Sequence, residues 1–202
     1  MDLRSQATPV LDRLGRVGLL SLALFALLGS PAPVRSEASG QGRRELTEYE
    51  AKAVFLRQVT RYVTWPDSSF SGPGAPIVIG IVGHDPFGEL LDQVVAGQES
   101  RGRSLEIRRL EATAPVDGCH VIFLSREETR RQAEILAEVA DLPILTVGEG
   151  DRFLRQGGGI RLRILDERMR FEISLAATDR AGLKLSSYLL NLASEVQRTE
   201  DR

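Results

Sequence analysis

Apolar positions recur at three different spacings along this chain, and each spacing predicts an element. From Glu45 to Val63 they fall every three or four residues, at Leu46, Tyr49, Ala53, Leu56, Val59, Tyr62 and Val63, which is the stripe of an amphipathic helix. Trp65-Pro66 ends it, because proline disfavours helical geometry in the residue before it. Three short runs are apolar at nearly every position: Ile77 to Val82, His120 to Leu124 and Leu142 to Val147. Runs of that kind are strands buried on both faces. Ser104 to Leu110 alternates instead, with Leu105 and Ile107 between polar neighbours, and reads as a more exposed strand. Arg101, Arg103, Arg108 and Arg109 decorate it, as expected where charge protects a sheet edge from pairing.

Between these runs the spacing returns to that of a helix. Phe87 to Val95 follows the turn Gly83-His84-Asp85-Pro86, with Pro86 suited to a first helical turn. Glu127 to Val139 turns Ile135, Leu136 and Val139 inward and many charges outward. Its leading pair, Glu127-Glu128, is favoured at a helix start by the macrodipole. Asp151 to Gln156 is a short helix or turn, broken by Gly157-Gly158-Gly159. Ile160 to Leu165 and Arg168 to Ile173 are joined by Asp166-Glu167 and read as a hairpin.

The stretch Met169 to Ala193 starts as a strand and continues as a helix. Phe171 and Ile173 share one strand face, and Thr178 or Asp179 supplies an oxygen for the helix cap. Leu183, Ser186, Leu189, Leu190, Ala193 and Val196 then make one apolar helical face. The order predicts an α/β fold: a three-layer sandwich with a mainly parallel sheet, a C-terminal antiparallel hairpin and a C-terminal helix.

The first 38 residues read differently. Arg4, Arg13 and Arg16 precede the apolar run Val17 to Leu28, and small residues and prolines lead to Ser36-Glu37-Ala38. Twelve apolar residues are too few to span a bilayer, which takes about 20, and the pattern is that of a secretory signal peptide, with an uncleaved N-terminal anchor as the competing reading. The remaining divisions are a polar leader at 39–44, expected to be disordered, a single domain at 45–197 and a tail at 198–202. Nothing after the leader is long and apolar enough for membrane insertion, so the chain reads as periplasmic. Removing 1–38 takes away four arginines and three acids from a net charge of -2, leaving -3. That balance excludes a surface built for nucleic acid, which would show a basic excess.

Candidate chemistry is sparse. One cysteine, Cys119, rules out an internal disulfide. Cys119 and His120 are adjacent and point to opposite faces of a strand. His84 follows the first buried strand and Cys119 precedes the next, so parallel strands place them roughly 20 Å apart. A cysteine nucleophile then lacks its base, leaving Cys119 a buried small residue or a redox thiol. Two histidines and one cysteine do not form a zinc pattern, and the triple glycine lacks the lysine and following helix of a phosphate loop. The sequence therefore predicts no catalytic residue, no metal site and no cofactor. Trp65 either plugs the core at the helix end or, with Phe70, offers apolar surface to a partner or a small aromatic ligand, and Arg168, Arg170 and Glu172 on the hairpin can orient a partner along the sheet edge.

Several segments together resemble the YfiR-like family of periplasmic proteins: EYEAKAVFLRQVTRYVTWP (48–66), IVIGIVGHDPFG (77–88), CHVIFLS (119–125), PILTVGE (143–149), GGGIRLRI (157–164) and FEISLAATDRAGLKLSSYLLNLA (171–193). The resemblance covers nearly all of 45–196. It implies an α/β fold, often dimeric, and regulation without catalysis. The regulator binds and restrains the periplasmic domain of an inner-membrane diguanylate cyclase, and an outer-membrane lipoprotein relieves the restraint. That assigns this chain to cyclic di-GMP signalling and biofilm control. The alternative is a small-molecule-binding module reporting to a receptor kinase or transporter. Two positions depart from the family. Ser174 stands where Asn often follows Phe-x-Ile, and Gly80 stands where members often carry a cysteine able to pair with the one at Cys119.

Overall fold

The computed structural model describes residues 38–127 and 131–198, by backbone alone over 38–47. Apart from Ala38, the signal-peptide reading falls on residues outside that range, as do residues 128–130 of the helix expected at Glu127 and all but the first residue of the tail. The elements in order are α1 (Ala38–Val59), β1 (Val63–Thr64), β2 (Ile77–Val82), α2 (Glu89–Val95), β3 (Glu99–Ser100), β4 (Arg103–Leu110), β5 (Val121–Leu124) and α3 (Gln132–Glu138). They continue with β6 (Leu145–Gly148), β7 (Ile160–Leu165), β8 (Arg168–Ser174), α4 (Leu175–Arg180), β9 (Lys184–Leu185), α5 (Ser187–Leu192) and β10 (Glu195–Gln197).

Eight strands form one sheet in the order β10-β8-β7-β6-β5-β2-β4-β3, and β1 pairs with β9 in a separate antiparallel ribbon. β4, β2, β5, β6 and β7 are parallel neighbours, β7 and β8 form the antiparallel hairpin, and β10 returns parallel to β8. The expected architecture is present: β2, β5 and β6 are buried at every position because helices cover both faces. On one face Ile79, Ile81, Val121, Phe123, Leu145 and Val147 pack under α1, α2 and α5 through Leu56, Leu91 and Leu189. On the other, Val78, Val82, Ile122 and Leu124 pack under α3 through Ile135 and Leu136.

The structure corrects the sequence reading at both ends of the domain. α1 begins at Ala38, so it takes in the stretch 39–44 read as a disordered leader. It stops at Val59, four residues short of the expected Val63. Thr60 Oγ1 donates to Arg57 O at 2.7 Å, and the amides of Arg61 and Tyr62 tighten onto Gln58 O and Val59 O. Val63 and Thr64 then pair with Leu185 and Lys184. The C-terminal helix is two helices. Ser174 caps α4 by accepting from Ala177 N, whereas Thr178 Oγ1 donates to the carbonyls of Ser174 and Leu175. Gly182, at φ +69°, turns the chain into a conformation L side chains resist. Ser186 caps α5 in the same way, accepting from Leu189 N. β10 was not expected at all; Ser194 leads into it by donating its amide and its hydroxyl to Phe171 O.

The triple glycine makes a close approach rather than a ligand loop. A Cβ on Gly158 would lie 2.2 Å from the Phe153 ring, and so would one on Gly148. The buried Phe153 ring sits where only hydrogen fits.

Candidate functional site

The four arginines read as edge protection reach other parts of the chain. Arg101 Nη1 donates to Val63 O at 2.9 Å and to Thr64 Oγ1 at 2.8 Å. Arg103 Nη1 donates to Ala75 O at 2.7 Å, and its guanidinium lies 3.8 Å from the Phe70 ring centroid. Arg108 holds Asp117 O at 2.7 Å. Arg109 bridges Asp85 and Asp92 at 2.7 and 2.6 Å, and its hydrogen bonds hold the Asp92 carboxyl below its usual range. Backbone carbonyls and carboxylates of the neighbouring loops and of α2 need these donors, and four arginines along one strand supply them.

Trp65 and Phe70 meet His120 at the amino ends of the parallel strands. Trp65 is 5% exposed, and its Nε1 donates to His120 O at 3.0 Å. Its indole therefore fills the core and leaves little surface for a partner. Phe70 is half-buried, stacked on the His120 ring at 4.5 Å and covered by Arg103. The Val78 amide donates to His120 Nδ1 at 3.1 Å, so the ring proton sits on Nε2 and faces Ser69 O at 3.2 Å. Burial pulls the His120 pKa below the ordinary imidazole value.

Cys119 packs on the opposite sheet face, under α3, 4% exposed. Burial pushes its thiol pKa up, which keeps it protonated and poorly nucleophilic. Because β2 and β5 run parallel, His84 and Cys119 lie at opposite ends of the sheet. A Cβ built on Gly80 would stand 3.6 Å from the Cβ of Cys119 and 2.9 Å from its Sγ. That Cβ separation is within the range of bridged cysteines, which agrees with the pairing the resemblance implies for members that carry a cysteine at this position.

The hairpin residues divide. Arg168 and Arg170 are exposed. Glu172 is buried, with Arg161 at 2.5 Å and Arg163 at 2.8 Å. Its charge is spent inside the sheet, so it cannot orient a partner as the sequence reading had it. The turn residues Asp166 and Glu167 both take positive φ, 51° and 59°, the twist of a two-residue hairpin loop that Asn-Gly would form with less strain. β7 pairs with β6 only through Ile160 and Arg161. Beyond that the hairpin projects, exposing Ile164 at 40% and Leu165 at 51%.

A cluster the sequence reading missed lies at the carboxyl ends of β5 and β6. Lys52 of α1 is 1% exposed and forms ion pairs with Glu48 and with Glu149, the residue after β6. Arg126, two residues past β5, reaches Glu48 at 2.9 Å and Glu149 at 3.4 Å. The Lys52 ammonium also lies 4.5 Å from the Tyr49 ring centroid. Burial, reinforced by Glu149, pushes the Tyr49 phenol up to about 12. These groups border a cavity of about 650 Å³ whose far wall is β7 at Leu162, Arg163 and Ile164. A signal was available: Lys52 lies three residues after Tyr49 and four before Leu56, on the flank of the apolar stripe. A lysine there has to be buried with partners.

Among the described residues, no three His, Cys, Asp or Glu side chains gather as metal ligands, and no helix is long and apolar enough to cross a membrane. The molecule is an open-sheet α/β domain whose Lys52, Arg126, Glu48 and Glu149 are locked together at the carboxyl edge and whose apolar and basic groups are presented on a projecting hairpin. The chain belongs to the YfiR/HmsC-like family, whose model matches residues 49–194. That family is known for regulating cyclic di-GMP signalling from the periplasm.

Proposed function

We propose that this protein is a periplasmic regulator that docks on the extracytoplasmic domain of a membrane-bound diguanylate cyclase and restrains it, with the tip of the β7–β8 hairpin as a contact surface. The observation that carries the reading is the hairpin tip itself, where Ile164, Leu165, Arg168 and Arg170 are exposed together around a turn of two positive-φ, non-glycine residues. Exposed apolar side chains ringed by charge fit a protein contact. Backbone strain of this kind is commonly kept where it serves a function. Family membership supplies the signalling context. The regulator acts by population shift: it binds the inactive receptor conformation better than the active one.

Loss of the gene raises cyclic di-GMP and biofilm mass on this reading. Complementation with a Leu165→Asp/Arg168→Glu/Arg170→Glu variant leaves both high, although the variant melts like the parent because all three positions are exposed. If the triple variant lowers cyclic di-GMP as well as the parent does, the hairpin is not the docking surface. If deletion leaves cyclic di-GMP unchanged across growth conditions, the regulatory reading fails with it.

A further inference from the structure

We propose that the cavity at the carboxyl ends of β5 and β6 is a binding site for a small hydroxylated organic anion of the sugar-acid type, with Gln132 receiving a ligand hydroxyl and Arg152 the carboxylate. Four observations point there. The first is position. Open α/β sheets bind ligands outside the carboxyl ends of their strands, near the point where the strand order reverses. Here the order reverses between β2 and β5, and the cavity opens one strand further on, at the carboxyl ends of β5 and β6. Its volume, about 650 Å³, suits a small molecule.

The second is an orphaned acceptor. Gln132 of α3 is 0% exposed and lines the cavity. Its Nε2 donates to Gln156 Oε1 at 2.5 Å, whereas its Oε1 has no hydrogen-bond partner. A buried amide oxygen without a donor is costly, and a ligand O–H would satisfy it. The third is Gly150, which also lines the cavity. A Cβ there would lie 3.2 Å from Gln132 Oε1 and 3.3 Å from its Nε2. Gly150 does not take positive φ, so its backbone conformation does not call for glycine. A side chain there would crowd the amide, whose oxygen is sealed from solvent in the free protein, so a ligand hydroxyl reaches it with a small shift of the lining.

The fourth is charge. Glu48 and Glu149 already share Lys52 and Arg126, so neither is left over for a ligand ammonium. Arg152 lines the same cavity, is exposed, and has no carboxylate partner among the described residues. Asp151, the remaining carboxylate of the lining, lies 3.6 Å from Arg161, and Arg163 is held by Glu172, so the surplus is one cation, matched by a ligand that carries a negative group and neutral donors rather than a zwitterion. The inference goes beyond the docking reading by adding a chemical input to it, since Arg163 and Ile164 of the hairpin line this cavity as well.

Calorimetric titration of the purified protein with D-glucuronate tests it, with D-glucose and acetate as the halves of the ligand. D-glucuronate binds saturably, and each half binds at least about tenfold more weakly. Arg152→Ala, at an exposed position, weakens D-glucuronate at least about tenfold without moving the melting temperature of the free protein. Gly150→Ala weakens it similarly by crowding the Gln132 amide. Should that variant fold poorly, Gln132→Met takes its place and gives the same loss. Absence of saturable D-glucuronate binding overturns the proposal. So does equal affinity in Arg152→Ala, or glucose or acetate binding as tightly as the acid. The titration uses no cyclase, so its result and that of the docking experiment are read separately.

Discussion

The two ends of the parallel strands handle buried polar groups in opposite ways. At the amino ends, the His120 ring, the His120 carbonyl and the Trp65 indole form a closed set: Nδ1 takes the Val78 amide, Nε2 faces Ser69 O, and the carbonyl receives both Trp65 Nε1 and the Leu145 amide. At the carboxyl ends, Lys52, Glu48, Glu149 and Arg126 neutralise one another around a cavity, and the Gln132 amide oxygen beside them has no donor. Both regions are buried and polar, yet the His120–Trp65 set completes its hydrogen bonds within the fold, with the neighbouring Ser69 hydroxyl left unpaired, whereas the Gln132 amide oxygen at the other end is not satisfied. Polarity alone marks neither structure nor function. What separates them is whether the chain itself satisfies the groups it buries.

The contrast can be broken most forcefully at Lys52. Lys52→Met removes the cation between two carboxylates and leaves Glu149, with a side chain 3% exposed, facing only Arg126. Loss of one partner from a buried ion pair costs about 3–5 kcal/mol, and chemical denaturation should show a loss of that order. A smaller effect is expected at the amino edge. His120→Leu strands the Val78 amide and removes the donor facing Ser69 O, with a cost of about 1–3 kcal/mol measured by the same method.

Acid sharpens the comparison further. His120 has a depressed pKa in the folded protein, and protonated Nδ1 would present a proton to the Val78 amide. Below about pH 6.5 the unfolded chain takes up a proton that the folded chain refuses. Stability therefore falls as the pH drops from about 6.5 toward the folded pKa, by up to about 1.4 kcal/mol per pH unit, and is unaffected by this group above that window. Melting curves at pH 7.5 and 5.5 should show the loss in the parent and a flatter response in His120→Leu. The smallest effect belongs to the open edge. Gln132→Met removes an acceptor the fold never satisfied together with the Nε2 donor to Gln156 Oε1, so the free protein should lose about 1 kcal/mol, the net worth of that one hydrogen bond. A penalty like that of His120→Leu would mean that the two edges do not differ.

Legibility in the sequence followed the range of the interactions. The buried runs at 77–82 and 120–124 and the hairpin around Asp166-Glu167 rest on contacts between near neighbours or on simple burial, and they appear as read. Helix ends were harder. α1 stops at Val59 because Val63 and Thr64 pair with residues more than a hundred positions later, and no local pattern announces such a partner. The break between α4 and α5 had local signs in Gly182 and Ser186, but the apolar spacing from Leu183 to Ala193 continued smoothly across it. The arginines of β4 looked like edge decoration because their acceptors, such as Ala75 O and Val63 O, are remote in sequence. Glu172 looked like a surface charge because strand alternation shows which face a residue takes and not whether that face is covered.

The amino-acid order on its own settled the class of fold, the buried central strands and the separation of Cys119 from His84, since periodicity and chain direction suffice for these. Tertiary structure decided which charges are spent and which are offered. Lys52 meets Glu149 across 97 residues, Arg161 and Arg163 claim Glu172 across the hairpin, and Gln132 comes to rest beside Gly150 with its oxygen unmatched. Electrostatic and hydrogen-bond energies depend on distance and burial in space, and neither quantity is written along the chain.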